Sequence, residues 1–145
     1  MDVQDVMSTH VHLIGHQEDA VTAARKMEEG DVGCLVVIDS DSVAGVVTDR
    51  DLAIRCMGQG HDSGTCKVSR HMSSPPITVE STVDMLEAAH LMTDKKITRL
   101  PVVDAAGLVG FVSLSDIALA MDIALTSMNR SLHDLLRGMG AGRSA

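Results

Sequence analysis

A 65-residue offset constrains this chain more than any other feature in it. Setting residue 7 over residue 72 carries a gapless match through to Ala53 over Ala118. Met7-Ser8 falls on Met72-Ser73, Asp19 on Asp84, and Ala23-Ala24-x-x-Met27 on Ala88-Ala89-x-x-Met92. Further on, Leu35-x-Val37-x-Asp39 falls on Leu100-x-Val102-x-Asp104, and Gly45-x-Val47 on Gly110-x-Val112. Self-similarity at a fixed offset marks a repeated supersecondary unit. Two homologous units packed face to face about a pseudo-twofold axis are the expected consequence.

The hydrophobic period changes in the same order within each unit. Val11–Ile14 and Ile77–Val79 are short β-like runs. Ala20, Ala23, Ala24 and Met27, and in the second copy Met85, Ala88, Ala89 and Met92, follow the spacing of one helix face. The first of these helices is expected to end with Gly30 as its C′ residue, and the second to open on a Ser81-x-x-Asp84 capping box. Strand pairs follow, Leu35–Asp39 with Val43–Thr48 and Leu100–Asp104 with Leu108–Ser113, around Ser40-Asp41-Ser42 and Ala105-Ala106-Gly107 turns. A last helix is predicted over Asp49 to about Met57 and over Leu114 to about Met128.

Each unit therefore reads β-α-β-β-α, and the fold class is α/β. The expected divisions are a first repeat over 1–60, a linker over 61–66, a second repeat over 67–128, and a short helix with a frayed tail over 129–145. Val3–Met7 and Val68–Met72 read as brief apolar turns leading into the units.

Gly45-x-x-Thr48-x-x-Asp51 and Gly110-x-x-Ser113-x-x-Asp116 close the two units. Each hydroxyl and acid is a capping box. The same arrangement also suits a ligand, since a helix N-terminus attracts phosphate and a carboxylate beside it can accept both hydroxyls of a ribose.

Composition narrows the function classes. There is one aromatic residue, Phe111, against ten Met, so the core must be aliphatic. A formal net charge of −8 argues against a nucleic-acid or anionic-membrane surface, which requires basic patches. The N-terminus lacks a signal-peptide pattern and no apolar run approaches the ~20 residues that span a bilayer. With three cysteines and no CxxC pair, reduced thiols and a cytoplasmic location are expected. Cys34 and Cys56 read as small buried apolar residues.

A serine-hydrolase elbow, a Walker A loop and an HExxH motif are all lacking, so no enzyme activity is expected. His10, His12 and His16 invite a metal reading, but nearby residues do not complete a ligand set, and His61, Cys66 and His71 could join only by long-range contact. No metal requirement is expected.

The paired β-α-β-β-α repeat, with Arg99-Leu100-Pro101-Val102-Val103-Asp104, Val112-Ser113-Leu114-Ser115-Asp116-Ile117 and Val47-Thr48-Asp49-Arg50-Asp51-Leu52, resembles a tandem cystathionine-β-synthase (CBS) domain pair, the Bateman module. The resemblance covers roughly residues 1 to 128, and the Thr-Asp-Arg-Asp run is similar to that of stand-alone bacterial CBS-pair proteins. It implies a noncatalytic sensor that binds an adenosine-containing ligand such as AMP, ATP or S-adenosylmethionine between the repeats, forms a homodimer, and regulates a protein partner.

Carried onto this chain, the resemblance implies one cleft with Asp116 on the ribose, Ser113 and Ser115 near ribose and phosphate, and Arg99 on the phosphates. His10, Val11, His12, Val32, Gly33 and Cys34 would wall the adenine there. The symmetric cleft would use Thr48 and Asp51, walled by Pro76, Ile77, Ile97 and Thr98. The position matching Arg99 is Cys34, so that second cleft is expected to lack a cation unless Arg50 or Arg55 supplies one; both also suit a solvent-facing helix. Two other readings stand beside the sensor: a ligand-free interaction scaffold, and a metal- or redox-responsive protein.

Overall fold

The computed structural model describes residues 1–141. Two three-stranded sheets form, and they are built alike. β1 (Leu13–Gly15) lies parallel to β2 (Cys34–Asp39), and β3 (Ser42–Thr48) returns antiparallel to β2. In the second sheet β4 (Val79–Glu80), β5 (Arg99–Asp104) and β6 (Gly107–Ser113) repeat the order. The parallel pair requires a crossover, which α2 (Ala20–Gly30) and α4 (Met85–Lys95) provide. The register shifts at Val37/Ile38 and at Val102/Val103, the same place in each repeat.

Turn chemistry fixes the hairpins as expected. Ser40 and Asp41 both take positive φ, 49° and 67°, which a two-residue turn matched to strand twist demands. In the second copy Asp104 Oδ1 accepts from the Ala106 N–H at 2.7 Å and Gly107 takes φ 115°.

The helix ends differ from the sequence reading in two places. Gly30 is the last helical residue, and Asp31 adopts the left-handed conformation instead, as Lys96 does in the second repeat. A Cβ added at Gly30 would lie 2.7 Å from Cε1 of His12, so a larger residue there displaces the His12 ring. Ser81 does not cap α4. Asp84 does, accepting from the Leu86 N–H at 2.8 Å, as its counterpart Asp19 accepts from Thr22 at the start of α2.

Each repeat has an aliphatic core of its own, and the two exchange a residue. Ile14, Ala23, Met27, Leu35, Val37 and Val47 form the first, Val79, Met85, Ala88, Met92, Leu100, Val102, Val112 and Ile117 the second. Val3, in α1 (Val3–Val6), is buried in the second core, whereas Val68 is buried in the first. Fully burying such a side chain contributes about 1.5–3 kcal/mol, so each lead-in holds the opposite repeat in place. Beyond them, Ser8 pairs with Phe111 and Ser73 with Val46, a symmetric pair of bridges that ties each lead-in to the other sheet.

The closing helices differ between the copies. After β3 the chain makes one α turn, α3 (Asp49–Asp51), then a wider π turn over Leu52–Cys56 and a 3-10 turn over Met57–Gln59, where one regular helix is expected. The widened turn puts Cys56 in a buried cluster with Ala20 and Cys66. After β6, α5 runs unbroken over Leu114–Ala141. Its 28 residues extend about 42 Å, so the separate short helix expected after Met128 is a continuation of this one. Leu132, Leu135 and Leu136 do not fold back over the module; they are 58%, 61% and 61% exposed. Of the expected frayed tail, Gly138–Ala141 is helical and 142–145 lies outside the described residues.

Candidate functional site

Two cavities of similar size lie between the repeats and are images of one another under the 65-residue offset. One, of about 370 Å³, is lined by Val46, Thr48, Arg50, Asp51, Pro76, Ile77, Lys96, Ile97, Thr98 and Arg99, with Cys34 and Ser73. The other, of about 350 Å³, is lined by Ser8, His10, Val11, His12, Asp31, Val32, Gly33, Cys34, Val36, Arg99 and Phe111. Both fall in the size range of small-ligand pockets.

Each cavity gathers six of the predicted site residues, with Arg99 common to both. Thr48, Arg50, Asp51, Ile77, Thr98 and Arg99 converge on the first cavity; His10, Val11, His12, Val32, Gly33 and Arg99 converge on the second. Ser113, Ser115 and Asp116, the images of Thr48, Arg50 and Asp51, line neither; Asp116 instead borders a depression formed with Met1, Asp5, Val6 and α5. Of the two candidates to supply a cation to the Thr48/Asp51 cleft, Arg50 lines it and Arg55 does not. Arg99 opens β5, next to Cys34, and borders both cavities, while Arg50 and Lys96 add two more cations to the Thr48/Asp51 side.

The backbone positions these groups through hydrogen bonds that are also symmetric. Asp51 Oδ2 accepts from the Thr48 N–H at 2.9 Å, and Thr48 Oγ1 accepts from the Asp51 N–H at 3.1 Å. In the second copy Asp116 Oδ2 accepts from both the N–H and the hydroxyl of Ser113, at 2.8 and 2.7 Å. Both capping boxes are thus made. Thr48 keeps its hydroxyl proton free of the acid, whereas Ser113 commits its own to Asp116. Asp51 Oδ1 lies 3.8 Å from Arg55 Nε. Arg55 therefore points to the helix side of Asp51 and is absent from the cavity lining.

Cys34 sits at the junction. Burial pushes its thiol up to about 12, against a smaller opposing pull from Arg99. It is a neutral wall residue. A third and larger cavity, about 700 Å³, lies between α2 and the widened turn after α3, and shares only Val32 and Gly33 with the predicted site.

The three N-terminal histidines do not converge. His10 and His12 meet edge to face with centroids 4.7 Å apart, while His16 pairs its Nε2 with Asp39 Oδ1 at 3.1 Å. A different group does assemble: Cys56 Sγ, Cys66 Sγ and His71 Nε2 lie within 4.8 Å of one another, all three residues buried. From sequence alone Cys56 reads as a core thiol, and His61, Cys66 and His71 as residues that only a long-range contact would add to the N-terminal histidines. The signal is a constant spacing, Cys56-x4-His61-x4-Cys66-x4-His71, which differs from a CxxC pattern.

Two homologous α/β repeats, each completing the other's core and enclosing paired clefts, define a paired-repeat module. The chain belongs to the CBS-domain family, whose model matches residues 3–58 and 68–123. It is 36% identical over 116 residues to the CBS domain-containing protein YhcV of Bacillus subtilis, covering 80% of this chain and 82% of that one. It is 31% identical to Hypoxic response protein 1 of Mycobacterium tuberculosis over 79% of this chain and 81% of that one. Among solved structures, Hypoxic Response Protein I with two coordinated zinc ions superposes with a TM-score of 0.74 at 30% identity, over 81% of this chain and 97% of that one. The CBS-domain containing protein ATU1752 of Agrobacterium tumefaciens gives 0.75 at 26%, over 83% and 99%.

Proposed function

We propose that the protein is a noncatalytic regulatory module that takes an adenosine-containing ligand, such as AMP, ATP or S-adenosylmethionine, in the cleft bounded by Thr48, Arg50, Asp51, Ile77, Thr98 and Arg99. One observation carries this reading: a carboxylate, a free hydroxyl and three cations meet aliphatic walls in a single cavity. Asp51 would accept the ribose hydroxyls through Oδ1. Arg50, Lys96 and Arg99 would face phosphates, and Pro76, Ile77, Ile97 and Val46 would cover the base. The image cavity, with Arg99 as its cation, would be a weaker site. Ser113, Ser115 and Asp116 would act there only after Asp116 turns from Ser113.

Ligand occupancy would be communicated through a homodimer to a regulated protein. The dimer is supported by α5, where Leu125, Met128, Leu132, Leu135 and Met139 are exposed and recur at alternating spacings of three and four residues. That spacing makes one seam on a helix, suited to a second copy of the same helix.

Calorimetric titration of wild type, Asp51→Ala and Asp116→Ala with AMP and ATP tests the proposal. Charge-assisted hydrogen bonds are worth on the order of 1.5–3 kcal/mol, so Asp51→Ala should weaken binding roughly ten- to a hundredfold. Binding left intact by Asp51→Ala would overturn the assignment of the cleft.

A further inference from the structure

We propose that Cys56, His61, Cys66 and His71 form a closed four-ligand site for a borderline transition-metal dication of the zinc type, which staples the linker between the repeats to the first repeat. Cys56 Sγ, Cys66 Sγ and His71 Nε2 already lie within 4.8 Å of one another. Cys66 Sγ is 2.6 Å from His71 Nε2, and His61 Nδ1 is 3.7 Å from the same sulfur, with the two imidazole centroids 5.5 Å apart. Tetrahedral zinc with bonds of about 2.0–2.3 Å separates its ligand atoms by roughly 3.3–3.8 Å. Cys66 and His71 would open slightly as their hydrogen bond gives way to the metal, and His61, which is exposed and stands outside the group formed by the other three, would turn inward to complete the shell.

The backbone holds all four ligands on fixed supports. The widened turn over Leu52–Cys56 delivers Cys56. The His61 N–H donates to the Cys56 carbonyl at 3.1 Å, which folds the linker back at its first ligand. The Cys66 carbonyl accepts from the Ala20 N–H at 2.9 Å, fastening the second thiol to the start of α2. His71 ends the 3-10 turn Val68–Arg70, its N–H bonded to Val68 and its carbonyl to Arg55 Nη1.

Two thiolates and two imidazoles are the donor set that zinc and its cobalt substitute prefer over hard cations. Three of the four ligands are buried, and the thiols sit against Ala20 and Leu52. A dication with two thiolates has no net charge, so the complex is compatible with that apolar surrounding. Binding releases the two thiol protons. Because all four positions are supplied by the chain, the site is structural rather than catalytic.

Untagged protein, stripped with a chelator under reducing conditions, is titrated with cobalt(II). The proposal predicts a single cobalt per chain with tetrahedral visible bands and a thiolate-to-cobalt charge-transfer band. Cys66→Ser should lose that charge-transfer intensity in part or whole, and His61→Ala should shift the visible bands, whereas His10→Ala should leave both unchanged. Wild-type protein alone gives a second readout that does not depend on a variant folding: because both thiols are buried, alkylation is followed at a denaturant concentration that exposes them in the chelator-stripped protein, where zinc should protect Cys56 and Cys66 and a chelator should restore their labelling. Spectra lacking a charge-transfer band, or alkylation of Cys56 and Cys66 indifferent to zinc, would overturn the proposal.

Discussion

A Cβ added to Gly45 would lie 2.5 Å from the carbonyl oxygen of Ser73. The glycine is there because the second repeat's lead-in crosses the first repeat's sheet at van der Waals contact, through the Val46–Ser73 bridge. The backbone oxygen cannot move without breaking that bridge. Gly45→Ala should therefore cost about 1–3 kcal/mol, the range for overpacking, and lower Tm by roughly 3–10 °C for a chain of this size. Gly138→Ala is the control, since nothing lies within 4 Å of its added Cβ and alanine favours the helix. Thermal denaturation followed by circular dichroism measures both, and a drop for Gly138→Ala equal to that for Gly45→Ala would refute the packing argument.

Self-association should depend on the distal half of α5. Leu125 and Leu132 are both 58% exposed, on the seam described above, and the extended helix leaves them uncovered by the other described residues. Light scattering should give about twice the 15.3 kDa chain mass for wild type, reduced in Leu125→Lys/Leu132→Lys. A monomer mass for wild type at micromolar concentration contradicts the dimer.

Acid should weaken the start of α2 specifically. The Thr22 N–H and hydroxyl hold the Asp19 carboxyl below its ordinary value, so the unfolded chain binds the proton more tightly. Its contribution is therefore present above the unfolded carboxylate range and is lost as pH falls through the lower folded value. Asp19→Ala should have a lower Tm than wild type at neutral pH, and the gap should close below about pH 4. A gap that widens in acid would reverse the sign of the argument.

Cys34 should behave as an inert thiol. With burial holding it near 12, it remains protonated when an exposed cysteine is partly thiolate. Its contribution to stability is whole below the unfolded thiol's value near 8.5 and is lost as pH climbs through the folded value. Iodoacetamide at pH 8 should leave Cys34 unlabelled in native protein and label it in denaturant, as read by peptide mass spectrometry. Rapid native labelling would show that the junction of the clefts is open to solvent.

The repeat made the strand order and the hairpins legible, because a residue and its image face the same local demands: Asp39 and Asp104 both precede a two-residue turn. Capping at Thr48/Asp51 and Ser113/Asp116 was legible for the same reason. The exchange of Val3 and Val68 was not, since a short apolar turn does not encode which of two similar cores it enters. Nor was the side on which Arg99 acts; one side chain at the junction serves both clefts. The π turn before Met57 was hidden because the apolar pattern over Leu52–Cys56 is compatible with a regular helix. Its consequence, an inward Cys56, was hidden with it.

Ligand binding at the Thr48/Asp51 cleft is the central claim, and thermal denaturation across AMP, ATP and S-adenosylmethionine tests it most directly. A ligand that binds only the native state adds about 2.7 kcal/mol at a hundredfold excess over Kd, which for this chain is roughly 5–10 °C in Tm. The account predicts such a shift with at least one of the three, cut to about half or less in Asp51→Ala, whose ten- to hundredfold weaker binding leaves only about 0.4–1.4 kcal/mol at the same ligand concentration, and retained in Asp116→Ala. No shift with any of them at millimolar concentration would contradict it and leave an interaction scaffold as the better description.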